Sequence, residues 1–287
     1  MRNLLIAASA VALFAGIATQ ASATGDSYGV QLNLGTLQLG QSNVHRTSVG
    51  GKLNLSTAAV GTNLSVLSDI PATTDHTSNS GRTNGDARVA SLQVNALTAQ
   101  IATTSVTRSS VGADLTTSTQ AIGNAVDVES THNYVSNGYV TSNTDFDKSI
   151  SLQANVGAVQ LATTDIARVS VGDDLDVSTI AVGNTSSFFG AKGVAAATGQ
   201  LNLGTVQLAS TDFTRSSVAD NASFSTSAFG NVASYTGNTV DPLTVQVNAL
   251  TIQGASTNIG RSSFGGNVSV DTSAVGNAIT VSTNLNN

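Results

Sequence analysis

Five arginines, Arg46, Arg108, Arg168, Arg215 and Arg261, fall on one column of a segment that the chain repeats, and a serine follows each two residues on, at Ser48, Ser110, Ser170, Ser217 and Ser263. A row of cations suits contact with an anionic polysaccharide. The same arginines could instead clamp backbone carbonyls at a corner. Guanidinium groups stacked at a strand spacing of about 4.8 Å repel one another by roughly 1 kcal/mol per neighbour even in water. The row is therefore expected to face solvent or to be spread further apart.

Amides recur as strictly. Gln31, Gln93, Gln153, Gln200 and Gln246 open the repeats, Asn33, Asn95, Asn155, Asn202 and Asn248 follow two residues later, and Gln38, Gln100, Gln160, Gln207 and Gln253 come seven residues after the first glutamine. Stacked amides can hydrogen-bond along a stack as the backbone does, so these columns are read as structural ladders. The alternative is a set of surface polar residues kept alike by duplication.

Other chemistry is sparse. Asp173, Asp174 and Asp176 raise calcium, but no glycine-rich nonapeptide of a β-roll and no EF-hand loop is present, so no metal is expected. His45, His76 and His132 stand singly with no ligand spacing. No nucleophile elbow, phosphate-binding glycine loop or zinc motif occurs. No catalytic residue and no cofactor are assigned, and the chain is read as not an enzyme.

The repeat cores are 31–61, 93–123, 153–183, 200–230 and 246–276, with no gap inside any of them. Apolar residues alternate: Val49, Leu53, Leu55 and Ala59 share one parity, which is a strand period. Leu32 and Leu34 lie on one parity and Leu37 and Leu39 on the other, so a turn or bulge is expected near Gly35. The closing Gly-Asn reads as a tight turn with positive φ, followed by another short strand. Three or four short strands cannot bury an apolar face alone, whereas stacked units can. The expected fold is all-β, a β-solenoid of five repeats with loop insertions. The insertions are expected at Ser65–Ala90 and Glu129–Ile150.

Residues 1–23 read as a signal peptide: Arg2, an apolar run from Leu4 to Ile17, and Ala21-Ser22-Ala23 as the cleavage site. The run is short of the roughly 20 residues of a spanning helix, and the mature part, 24–287, has no other candidate span. With no cysteine, the exported chain must be held by packing and backbone pairing. The full chain's net charge of −6 disfavours nucleic acid, which needs clustered Lys and Arg. An aromatic content of 4% suits narrow stacked sheets with little room for rings.

The Gln-x-Asn, the later Gln, and a closing Ser/Thr-x-Ala-apolar-Gly-Asn, as in Asp271–Ala278, resemble the curlin class of secreted repeat proteins and the related holdfast anchor proteins of stalked bacteria. This unit is longer than a curlin unit and has an Arg column that curlin lacks. The resemblance implies a fibre, adhesin or surface-anchor component of a bacterium, amyloid-like in its stacking, outside the cell or on its outer surface. Partners expected are further molecules of the same chain, other surface or fibre subunits, and an extracellular polysaccharide. No polar cap helix follows the last repeat, which favours end-to-end association. The alternative is a secreted β-helix that binds or degrades polysaccharide, with Asp173, Asp174 and Asp176 as its acids.

Overall fold

The computed structural model describes residues 19–21, 27–70, 89–132, 134–136, 139–141 and 145–283. Most of the expected signal peptide and residues 71–88 of the first insertion lie outside the described residues.

Each repeat forms one rung of a stack, and each rung has four strand segments. In the second repeat these are Val89–Ala96, Ala99–Thr107, the two-residue Ser110–Val111, and the closing Leu115–His132. Every segment pairs in parallel with the same segment of the preceding and following repeats, with identical columns opposite each other: Gln93 with Gln31 and Gln153, Gln100 with Gln38 and Gln160. The result is four tiers of five parallel strands, with the short strand Thr19–Ala21 added in parallel beside Leu64–Val66 of the closing tier, a β-solenoid whose rungs follow sequence order. The third and fourth connections are not loops. Leu175–Leu203 and Ala222–Ala249 run unbroken from the end of one repeat into the first strand of the next. The second insertion holds a small antiparallel hairpin, Tyr134–Ser136 against Tyr139–Thr141.

Two corners of each rung use left-handed backbone. The first is at Gly35, Leu97, Gly157, Gly204 and Leu250, with φ between 53° and 61°, where the change of apolar parity called for a turn. The second is at the five arginines, with φ between 51° and 58°. The Gly-Asn corner differs from expectation. Its glycines have no positive φ, the strand continues through them, and both Gly123 and Asn124 point inward, so the alternation shifts by one residue there. Glycine is required by closeness instead: a Cβ on Gly123 would meet the Gly183 carbonyl oxygen and, at 2.7 Å, the Asn155 Nδ2.

The core is zoned along the rung. Val106, Ile166, Phe213, Leu115, Leu175 and Phe224 fill one end. An alanine column, Ala102, Ala121, Ala162, Ala181, Ala209 and Ala228, lets the second and closing tiers approach. Leu64, Val66, Val128, Phe188 and Tyr235 fill the other end. Rings do find room here: Phe188 and Tyr235 stack at 5.6 Å, and Phe213 lies 5.2 Å from Phe224.

Between the apolar zones the interior is polar, and it is the amide parity of the first strand that faces inward. Gln93 and Asn95 are 1% and 0% exposed, whereas Leu92 beside them is 41% exposed. The aliphatic parity of this tier, including Val30, Leu32, Leu152, Leu201, Val245 and Val247, faces outward.

Candidate functional site

The amide columns form continuous ladders. Gln93 Nε2 donates to Gln31 Oε1 at 2.8 Å, Gln153 to Gln93 at 2.9 Å, Gln200 to Gln153 at 2.8 Å and Gln246 to Gln200 at 2.8 Å. Each of these also donates to a closing-strand carbonyl, for example Gln153 to Thr185 O at 2.9 Å. Gln100, Gln160, Gln207 and Gln253 repeat the pattern on Gln38 with bonds of 2.8 to 2.9 Å. Asn95, Asn155, Asn202 and Asn248 interlock with the turn asparagines: Asn155 Nδ2 reaches Gly183 O, Asn184 Oδ1 and Asn202 Oδ1 at 2.7, 3.0 and 3.0 Å. Asn33 Nδ2 donates to Gly61 O in the first rung.

The columns marked as ladders in the sequence are thus brought together. A third system, not among the expected ladders, is a zigzag of hydroxyls between the second and closing tiers. It runs from Ser42 through Thr57, Thr104, Thr119, Thr164, Thr179, Thr211, Thr226 and Thr257 to Thr272 in steps of 2.6 to 2.8 Å. Its closing-strand half, Thr57, Thr119, Thr179, Thr226 and Thr272, occupies a single column of the repeat.

The ladders are incomplete at two places. Asn95 Oδ1 is buried without a partner, since Thr62 stands where the other repeats carry asparagine. At the last rung Gln246 Oε1 is also buried without a partner, although the same atom of every earlier rung accepts from the glutamine that follows.

The five arginines lie on successive rungs, all exposed, and their backbone amides join the ladder, as Arg108 N does to Ala167 O at 3.0 Å. None of their side chains forms a hydrogen bond or ion pair among the described residues, so the corner-clamp reading has no bond to support it. A trough of about 590 Å³ runs along the row, lined by Arg46, Arg108, Arg168 and Arg215 with Ser48, Ser110, Ser170 and Ser217. The arrangement is costly. Left-handed backbone at a side-chain-bearing residue costs about 1–2 kcal/mol, and adjacent cations about 1 kcal/mol more in water. Glycine would remove both costs, and glycine does occur at the first corner in three repeats.

Asp173 and Asp174 meet Asp114 rather than Asp176, with carboxylate oxygens within 4.8 Å of one another. Lys52 Nζ lies 2.6 Å from Asp114 Oδ2. The lysine hydrogen bond holds the Asp114 carboxyl below its ordinary range, whereas partial desolvation, then the charges of Asp114, Asp174 and Asp220, raise that of Asp173. Asp176 lines a separate trough of about 550 Å³ with Asp174, Asn221 and Asn267. His45 is exposed, its Nδ1 2.6 Å from Thr107 Oγ1, and His76 lies outside the described residues. Among the described residues no helix is long and apolar enough to cross a membrane.

Comparison with protein-family models, with curated proteins and with solved structures gave no match.

Proposed function

We propose that the protein is a secreted cell-surface structural or adhesive component, of the fibre, adhesin or anchor kind, whose stack is extended by further molecules at its ends. The carrying observation is Gln246 Oε1, an acceptor buried at the last rung with no donor. Leaving a buried acceptor unmatched costs about 1–3 kcal/mol, and an incoming glutamine would satisfy it as four others do below. The backbone agrees. The amides of Leu53, Leu115, Leu175 and Ala222 each donate to the following rung at 2.8 to 3.0 Å, so the equivalent amide of Val268 points off the end of the stack. An unpaired edge of this kind is a template for another chain. The outward aliphatic parity of the first tier adds a second surface with the character of an interface.

The test is Val268→Pro, which removes an outward N–H without breaking a bond inside the molecule. Light scattering and electron microscopy of the mature wild-type chain should show elongated assemblies that grow with concentration. The variant should keep its β-sheet circular dichroism and lose most of that growth. Monomers alone at high concentration of the wild-type chain would overturn the reading.

A further inference from the structure

We infer that the arginine row is a binding track for a linear polyuronate, a polysaccharide with one carboxylate per sugar, lying along the stack axis with about one sugar per rung. The inference rests on the protein being exported, because such polymers are met outside cells.

The residue type at this corner is the first argument. The backbone there favours glycine, and the side chains form no hydrogen bond or ion pair among the described residues, yet all five repeats carry arginine. In a chain of net charge −6 with seventeen acidic residues, none of those described is paired with the row. Neither backbone geometry nor internal hydrogen bonding nor charge pairing asks for these guanidinium groups, and an external anion is the partner they suit.

The spacing is the second. Parallel strands set the cations about 4.8 Å apart, close to the advance of one sugar in an extended 1→4-linked hexuronate chain. Successive carboxylates point to different sides of such a chain, so only some face the row; each that does can take a guanidinium through paired N–H bonds, and a bound polyanion weakens the repulsion along the row. Trough chemistry is the third. Ser48, Ser110, Ser170 and Ser217 line it beside the arginines and can meet sugar hydroxyls. The neighbouring Ser109 and Ser216 are turned inward, donating to Thr107 O and Thr214 O at 3.0 and 2.9 Å. The lining contains no aromatic ring, which argues against single-stranded nucleic acid, since its bases need stacking platforms.

The experiment is calorimetric titration of the mature chain with oligogalacturonates of increasing length, with neutral dextran and oligothymidylate as competitors of other chemistry. Affinity should rise with each uronate until about five sugars cover the rungs, then level off, and should weaken steeply with salt. The triple variant Arg108→Gly, Arg168→Gly, Arg215→Gly suits the left-handed backbone, so it should fold at least as well as the wild type and bind at least tenfold more weakly. Lys52→Gln, outside the row, should bind as the wild type does. Absence of oligouronate binding, binding unchanged in the triple variant, or equal binding of dextran or oligothymidylate would overturn the inference. Light scattering on the same samples separates the two proposals: lost uronate binding with intact assembly sinks only the track, and intact binding without assembly sinks only the end-stacking reading.

Discussion

At the scale of single residues, this interior is held by groups that ordinarily sit at a surface. Amide burial is tolerable because nearly every buried amide nitrogen and oxygen meets a partner, often two, in its own or a neighbouring rung, Asn95 Oδ1 and Gln246 Oε1 apart. The first of these identifies a repair. Asn124, Asn184 and Asn231 donate Nδ2 to Asn155, Asn202 and Asn248 at 3.2, 3.1 and 3.0 Å, and Thr62 has no such donor for Asn95 Oδ1. Thr62→Asn should therefore stabilise the fold by about 1 kcal/mol, measured by denaturant titration. Asp165 carries the opposite kind of fault. It pairs in register with Asp212, and partial burial followed by the Asp212 charge raises its carboxyl above the ordinary range. The folded state then holds that proton more tightly than the unfolded chain. Its contribution to stability falls as pH rises from the ordinary carboxylate value through the raised one, and is flat beyond. Asp165→Asn should raise the Tm at neutral pH and flatten this part of the profile, read from melting curves between about pH 3 and about pH 7.

At the scale of elements, the register of every tier was legible, because a gap-free repeat that alternates with period two has one economical way to stack. The sense of the first strand was not. Alternation marks two faces without saying which is inside, and here a self-satisfying amide face competes with an aliphatic one. A signal was present: the amide columns never vary, while the aliphatic column beside them passes through Val30, Leu92, Leu152, Gly199 and Val245. Residues that pair with their own kind across rungs tolerate no change, and residues facing outward do. The Gly-Asn corner was misjudged for a related reason, since glycine answers close approach as well as positive φ and a sequence shows neither. The hydroxyl zigzag binds the second tier to the closing tier and gives an element-scale prediction. Thr164→Val at mid-chain deprives Thr119 and Thr179 of their shared partner and should cost about 1–3 kcal/mol. Thr272→Val at the exposed end of the chain should cost far less. Denaturant midpoints of the two variants compare them directly.

At the scale of the whole molecule, stability is a sum over neighbouring rungs rather than the property of one central core. Ending the chain after residue 237 removes the last repeat's strands but leaves four rungs complete with all their mutual contacts. That shortened protein should remain β-rich and unfold at a lower denaturant concentration with a smaller m-value, since less surface is exposed on unfolding. The arginine row and the ladder ends also belong to this scale, because neither exists in a single repeat.

One rung per repeat has a further result for anything built from this chain. The rungs are alike in backbone but not in dress: between successive repeats the chain departs by unequal lengths, with starts at 31, 93, 153, 200 and 246. A column of such molecules would scatter X-rays as a grating ruled at two scales, a fine one of about 4.8 Å from strand to strand and a coarse one near 24 Å, five times larger, from molecule to molecule. A fibre of identical short units would give the first line alone, so the coarse line counts how many rungs each copy of this chain brings.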